Sequence, residues 1–167
     1  MTEAAFWYKR FRTAAYATVL GSMLWTILIV LPFVPLSYLP PIMIGGGPGT
    51  WFLLGYVLYL TVGVGGFGAL STFLLIIETH EHRALNGRIM LAGLILLYGG
   101  VTVGCVLLGI AGAVGGFALT IQHTTVSNAQ NLLSPYVNPI TVASLVAVAG
   151  AGASMYGMVT ATKATAT

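Results

Sequence analysis

Charge is what this sequence has least of. Charged residues make up 5% of its 167 positions against 57% hydrophobic residues, and the mean hydropathy is +0.96. A soluble domain carries roughly a quarter to a third charged residues on its surface, so a wholly aqueous surface is excluded and most of the chain has lipid as its solvent. Cysteine occurs once, at Cys105 within an apolar run, which excludes an intrachain disulfide and leaves the thiol to pack as a small apolar group. Ionisable side chains are missing from every long apolar run, and with them the intramembrane charge pairs on which proton pumps and most transporters depend. No nucleophile stands with a base and no two carboxylates share a depth. The glycine cluster GGGPG at 45–49 lacks the Lys and the following Ser/Thr of a phosphate loop, and reads as a turn. Neither Asn-x-Ser nor Asn-x-Thr occurs.

What is present is four apolar runs, at about 13–31, 50–77, 89–112 and 140–160. Each is long enough for one crossing at about 20 residues, which predicts an all-α integral membrane protein, a bundle of four transmembrane helices forming a single domain over 1–167. The first run is too long for the apolar core of a signal peptide and leads into PFVPLSYLPP rather than a small-residue cleavage site, so it reads as a retained helix. The second would extend about 42 Å as a helix against a hydrocarbon core of about 30 Å, so it has to tilt, kink or protrude. GVGGFG at 63–68 is the place for bending or for close approach of a neighbour. The third stays apolar to Leu119, with GIAGAVGGF at 109–117 as a loosened exit. Outer loops are predicted at 32–49, where Pro32, Pro35, Pro40 and Pro41 stop a helix, and at 113–139, where Pro135 and Pro139 mark the re-entry. A loop at 78–88 joins the second and third spans.

The net charge of +3 and pI near 9.2 would suit nucleic acid in a soluble protein, but here the cations mark topology. All six Lys/Arg lie before the first span, in the 78–88 loop or after the fourth span, and none lies in the two opposite loops. Positive charge stays inside, so both termini are expected in the cytoplasm, N-in and C-in. Trp7, Tyr8, Tyr38, Trp51 and Tyr136 fall near span boundaries, where aromatic side chains anchor at the headgroups.

Small residues supply helix-packing faces. Gly100 and Gly104 are spaced as GxxxG, as are Gly112 and Gly116, and all four are expected near one face of an unbroken helix. Ala143, Ala147 and Ala151 follow the same small-xxx-small spacing in the fourth span. These faces exceed what four helices need among themselves, so the surplus is expected to receive partners.

Candidate ligands are few. In ETHEH at 78–82, Glu78 and His82 stand four apart and would share a helical face, with His80 and Glu81 beside them as further metal candidates. Arg83, Arg88 and the Asn86-Gly87 turn signal support the plainer reading, a solvated turn carrying the polar groups that hydrocarbon refuses. His123, in the outer loop, is the remaining candidate; as a loop histidine it would donate to a carbonyl or water. A layer of about 30 Å separates it from His80 and His82, so one metal or haem iron cannot use both sets.

GGGPGTWFLLGYVLYLTVGVGGFGAL, together with FWYKRFRTAAY, resembles small four-span archaeal membrane proteins related to haem-copper oxidase subunit I. The resemblance covers the first two spans and includes no cofactor motif. It implies a place in a membrane oxidoreductase complex of the respiratory chain type, a terminal oxidase or a copper membrane monooxygenase such as that oxidising ammonia, in the cell membrane of a prokaryote. An oxidase catalytic subunit needs several intramembrane histidines, and every predicted span here lacks one, so the implied role is that of a non-catalytic accessory subunit. No cofactor is expected on this chain alone; the expected partners are lipids and larger integral membrane subunits, and not nucleic acid. The alternative is a haem- or metal-binding electron-transfer protein, and a third reading is a small-solute channel or exporter.

Overall fold

The computed structural model describes residues 6–163. Its four long helices are α1 (Trp7–Val30), α2 (Gly47–His80), α3 (Gly87–Thr120) and α4 (Val126–Val159), each long and apolar enough to cross a membrane. The last three have 34 residues apiece, which for the α-helical α3 and α4 is about 51 Å at 1.5 Å per residue. Between α1 and α2, residues 31–46 form an elbow with a short helix at Leu39–Ile44. Two short strands, β1 (Arg83–Ala84) and β2 (Thr162–Lys163), pair antiparallel and tie the end of α4 to the α2–α3 turn.

Several boundaries differ from those the sequence predicts. Helix α1 begins at Trp7, six residues before the apolar run, because a carboxylate from elsewhere caps it, as described below. The expected loop at 113–139 is reduced to a turn at 121–125. Helix α3 continues through its glycines to Thr120, and Pro135 and Pro139 lie inside α4 instead of marking its start. Both prolines are exposed, and membrane helices tolerate the freed carbonyls. The start of α4 is set by Thr125, whose hydroxyl accepts from the Asn128 amide at 3.3 Å.

Helix α2 absorbs its excess length without breaking. At Tyr59–Gly66 it widens to a π-helix, and again at Ile76–His80. The first widening spans GVGG of the predicted bend, and there Gly63 lets Thr18 of α1 approach: a Cβ on Gly63 would lie 3.4 Å from the Thr18 side chain.

Helix α1 packs on the second half of α2, the first half of α2 packs on α3, and α3 and α4 run antiparallel in contact along their length. Large side chains fill the space among the first three helices. Phe67 stands between Phe11 (6.2 Å between ring centres) and Tyr98 (5.9 Å), while Trp25 gathers Phe52, Tyr56 and Tyr59 at 5.6–6.1 Å. The α3/α4 seam instead alternates glycine, alanine and serine with Met90, Leu97 and Leu133. Since lipid tails are as apolar as these side chains, the helices are held by close packing and dispersion more than by escape from water.

Candidate functional site

The basic end of the molecule brings together the start of α1, the α2–α3 turn and the start of α3. Helix α1 opens with FWYKR, and its Ncap residue Phe6 has no side chain able to accept from the first amides. Glu78, on the last turn of α2, fills that role across 70 residues of sequence. Its carboxylate oxygens accept from the amides of Trp7 at 2.8 Å and Tyr8 at 3.1 Å. A carboxylate at a helix N-terminus satisfies orphan donors and complements the helix dipole. Ser71 adds a second tie between the same helices, donating to the Tyr8 carbonyl at 3.0 Å.

This use of Glu78 separates it from the histidines beside it in the sequence. His80 is exposed on the final π-turn, and His82 follows at φ 50°, outside the helix. Glu81 faces Arg83 at 3.4 Å. The Arg83 guanidinium also donates to the Ala161 carbonyl, reinforcing the β1–β2 pair. At the opposite end His123 takes φ 52°, just past α3, and the chain closes beyond it with the Thr124 amide and hydroxyl both donating to Ala118 O, at 3.1 and 2.9 Å. His82 and His123 thus each occupy a left-handed position just after a helix, a place usually given to glycine and one where histidine is enriched. The length of α3, about 51 Å, separates them. Among the described residues no three His, Cys, Asp or Glu side chains gather as a metal would require.

The helix-packing residues divide between two neighbours. A Cβ on Gly100 would lie 2.7 Å from the Ala143 carbonyl oxygen, and one on Gly104 would lie 3.5 Å from Ala143 Cβ, so this pair faces α4. A Cβ on Gly112 would lie 2.7 Å from Phe52 Cα, and one on Gly116 2.9 Å from Gly49 Cα, so the second pair faces the start of α2. The expectation of one shared face fails because four residues overshoot a 3.6-residue turn, and the drift from Gly100 to Gly116 reaches about 160°. On α4, Ala143 is buried and Ala147 and Ala151 are half-buried, with Gly150 and Ser154 completing the seam. These small faces make contacts within the chain, and Gly100 and Ala143 also border an open groove between α3 and α4.

Most hydroxyls at membrane depth are likewise engaged, whereas the buried Thr102 hydroxyl has no hydrogen-bond partner among the described residues. Ser22, Thr61, Thr72, Ser144 and Ser154 each donate to a carbonyl of their own helix. Thr26 does so too and also bonds Tyr56 Oη at 2.8 Å, joining α1 to α2.

Two features escape inspection of the sequence. Glu78 as a remote cap had a signal, since it is the first acid after a start of α1 that lacks any capping residue. The second is a groove between α1 and α3 at the basic end, about 350 Å³, lined by Arg10, Thr13, Ala14, Ala17, Leu94, Ile95 and Tyr98; it depends on how helices distant in sequence are spaced. Comparison with family models, with curated proteins and with solved structures finds no match.

Proposed function

We propose that this chain is a non-catalytic accessory subunit of a multisubunit membrane oxidoreductase, a terminal respiratory oxidase or a copper membrane monooxygenase. The observation that carries the packing role is the outward face of α4. That helix leans on α3 and little else, apart from the strand pair at its end. Its exposed side carries Ser127, Asn131, Ser134, Asn138 and Thr141 at alternating spacings of four and three, a stripe along the half of the helix far from the basic end. Side-chain amides in a membrane helix bond across to a neighbouring helix, and spacing of this kind presents them along one seam. A larger integral subunit carrying hydroxyl or amide groups at matching depths fits that face. The sequence resemblance of the first two spans supports an oxidoreductase as the host complex.

In this reading both termini and the 78–88 turn lie in the cytoplasm of a prokaryotic cell, since every Lys/Arg belongs to that end. A single cysteine introduced as Thr79→Cys in a Cys105→Ser background is expected to react only from the cytoplasmic side, and Thr124→Cys only from outside.

The deciding experiment is gentle detergent extraction of native membranes, a native gel, and mass spectrometry of the band that contains this chain. Migration at fixed stoichiometry with oxidase or monooxygenase catalytic subunits is the expected result. Migration alone, or only with copies of itself, overturns the proposal.

A further inference from the structure

The groove between α1 and α3 has a division of chemistry along its length. Its far wall is apolar: Ala14 and Ala17 of α1 are too small to reach across, and Leu94, Ile95 and Tyr98 of α3 form the opposite side. The edge contact between the Phe67 and Tyr98 rings, 5.9 Å between centres, holds the tyrosine in place as the inner end of the trough. At the other end stands Arg10, the one charged residue in the lining, with its guanidinium 4.4 Å from the centre of the Trp7 ring. Stacking on an indole fixes the plane of a guanidinium while leaving its edge N–H donors free, the geometry that suits a phosphate.

A second cation stands beyond the lining, on the helix that forms the opposite wall. Arg88 precedes Ile95 by seven residues and therefore stands on the same face of α3, two turns nearer the basic end. The start of α3 and the ring under Arg10 are in contact, since a Cβ on Gly87 would lie 3.5 Å from Trp7 Cζ2. Both arginines are exposed, and among the described residues neither pairs with a carboxylate; the nearby acid, Glu78, accepts from the Trp7 and Tyr8 amides instead.

We propose that this groove is a binding site for one membrane lipid with an anionic phosphate headgroup, the phosphate between Arg10 and Arg88 and one hydrocarbon chain along Ala14, Ala17, Ile95 and Tyr98. The occupant follows from charge complementarity at one end and an uncharged apolar trough at the other, both opening toward the bilayer. A soluble phosphate would use only the mouth of the site. Bound lipid fills the gap between α1 and α3, which touch each other sparingly, and so ties α1 to the rest of the bundle by a route other than Glu78.

Native mass spectrometry of the full chain in detergent, delipidated and then titrated with phosphatidylglycerol, phosphatidylcholine or glycerol phosphate, tests this. One phosphatidylglycerol should be retained in preference to phosphatidylcholine, and glycerol phosphate should not be retained. Each cation near an anionic headgroup is worth about fivefold in affinity, so Arg10→Gln and Arg88→Gln should each weaken retention by about that factor. Arg12→Gln is the control for general surface charge: Arg12 stands two residues from Arg10, on the far side of α1, over the Tyr8 ring at 5.8 Å. Ala17→Phe fills the trough without changing charge and should abolish one-to-one retention, with thermal unfolding confirming that the variant is folded; Ala17→Leu serves if it is not. Equal retention of the two lipids, an equal loss in Arg12→Gln, or undiminished retention with the trough filled each overturns the site.

Discussion

Removing the carboxylate of Glu78 should free the start of α1 while leaving the other helix starts intact. Two backbone amides, those of Trp7 and Tyr8, donate to it at 2.8 and 3.1 Å, and the Ncap residue offers no substitute. Hydrogen bonds to a charged group contribute about 1.5–3 kcal/mol each when the alternative is an unmet partner. Because Glu78 is half-buried, water recovers part of this, and about 3 kcal/mol is a fair sum for Glu78→Ala. At about 1.4 kcal/mol per tenfold, hydrogen exchange at the Trp7 and Tyr8 amides should then accelerate on the order of 100-fold. Glu78→Gln keeps one carbonyl acceptor and loses the charge, so its acceleration should be about tenfold. The start of α4, capped by Thr125, serves as the internal reference and should not change in either variant. The assay is exchange followed by mass spectrometry or NMR in detergent micelles. Wild-type protection at Trp7 and Tyr8 in Glu78→Ala, or a loss spread equally over α1 and α4, would refute the remote cap.

Other consequences are local. Gly100→Leu drives a side chain into the Ala143 and Ala147 backbone and should lower stability by more than about 3 kcal/mol, measured by thermal unfolding in detergent. Gly152→Ala, where a Cβ meets nothing within 4 Å, should raise stability by about 1 kcal/mol through helix propensity; a loss there would mean that this face is already occupied. Cys105 is 5% exposed, so a maleimide should leave it unlabelled in the folded protein and label it fully after denaturation. Labelling at native temperature without loss of helical signal would contradict its placement in the core. Asn138→Leu should leave the isolated chain as stable as wild type within about 0.5 kcal/mol, the usual range for an exposed site, while weakening its retention in the native complex. Unchanged retention would remove Asn138 from the proposed partner face.

The long helices were legible because hydrocarbon imposes one requirement on each, a run of about 20 uncharged residues, and four runs meet it. Their ends were less legible, because an end is decided by whatever satisfies the last amides and carbonyls, and that group can lie far away in sequence. Glu78 serves helix α1 from 70 residues away, so a rule reading only the residues next to FWYKR starts the helix too late. Pro135 and Pro139 misled in the opposite direction: their cost is small on an exposed side of a helix whose other face is packed against α3, and only the folded neighbourhood reveals which side that is. The histidines are ambiguous for a third reason. A ligand and a helix terminator can be the same residue type, and spacing along the sequence carries no sign of φ.

Helix α3 shows most clearly what one-dimensional spacing omits. Its two GxxxG pairs repeat at an interval of twelve residues, which on a cylinder of 3.6 residues per turn rotates the second pair by about 120° from the first. That rotation is large enough to aim the two pairs at different neighbours, Ala143 and Ala147 of α4 on one side, Gly49 and Phe52 of α2 on the other. A helix whose small residues spiral in this way becomes a central post, with α4 along its length and the start of α2 close against its second half. It follows that α1, which reaches α3 mainly through large side chains such as Trp25 packed over Gly109, cannot close as tightly. The groove ending at Arg10 is the space left by that difference, and the unpartnered side of α4 is its counterpart on the other flank. Both candidate binding surfaces therefore trace to one property of α3: the direction in which its small residues turn.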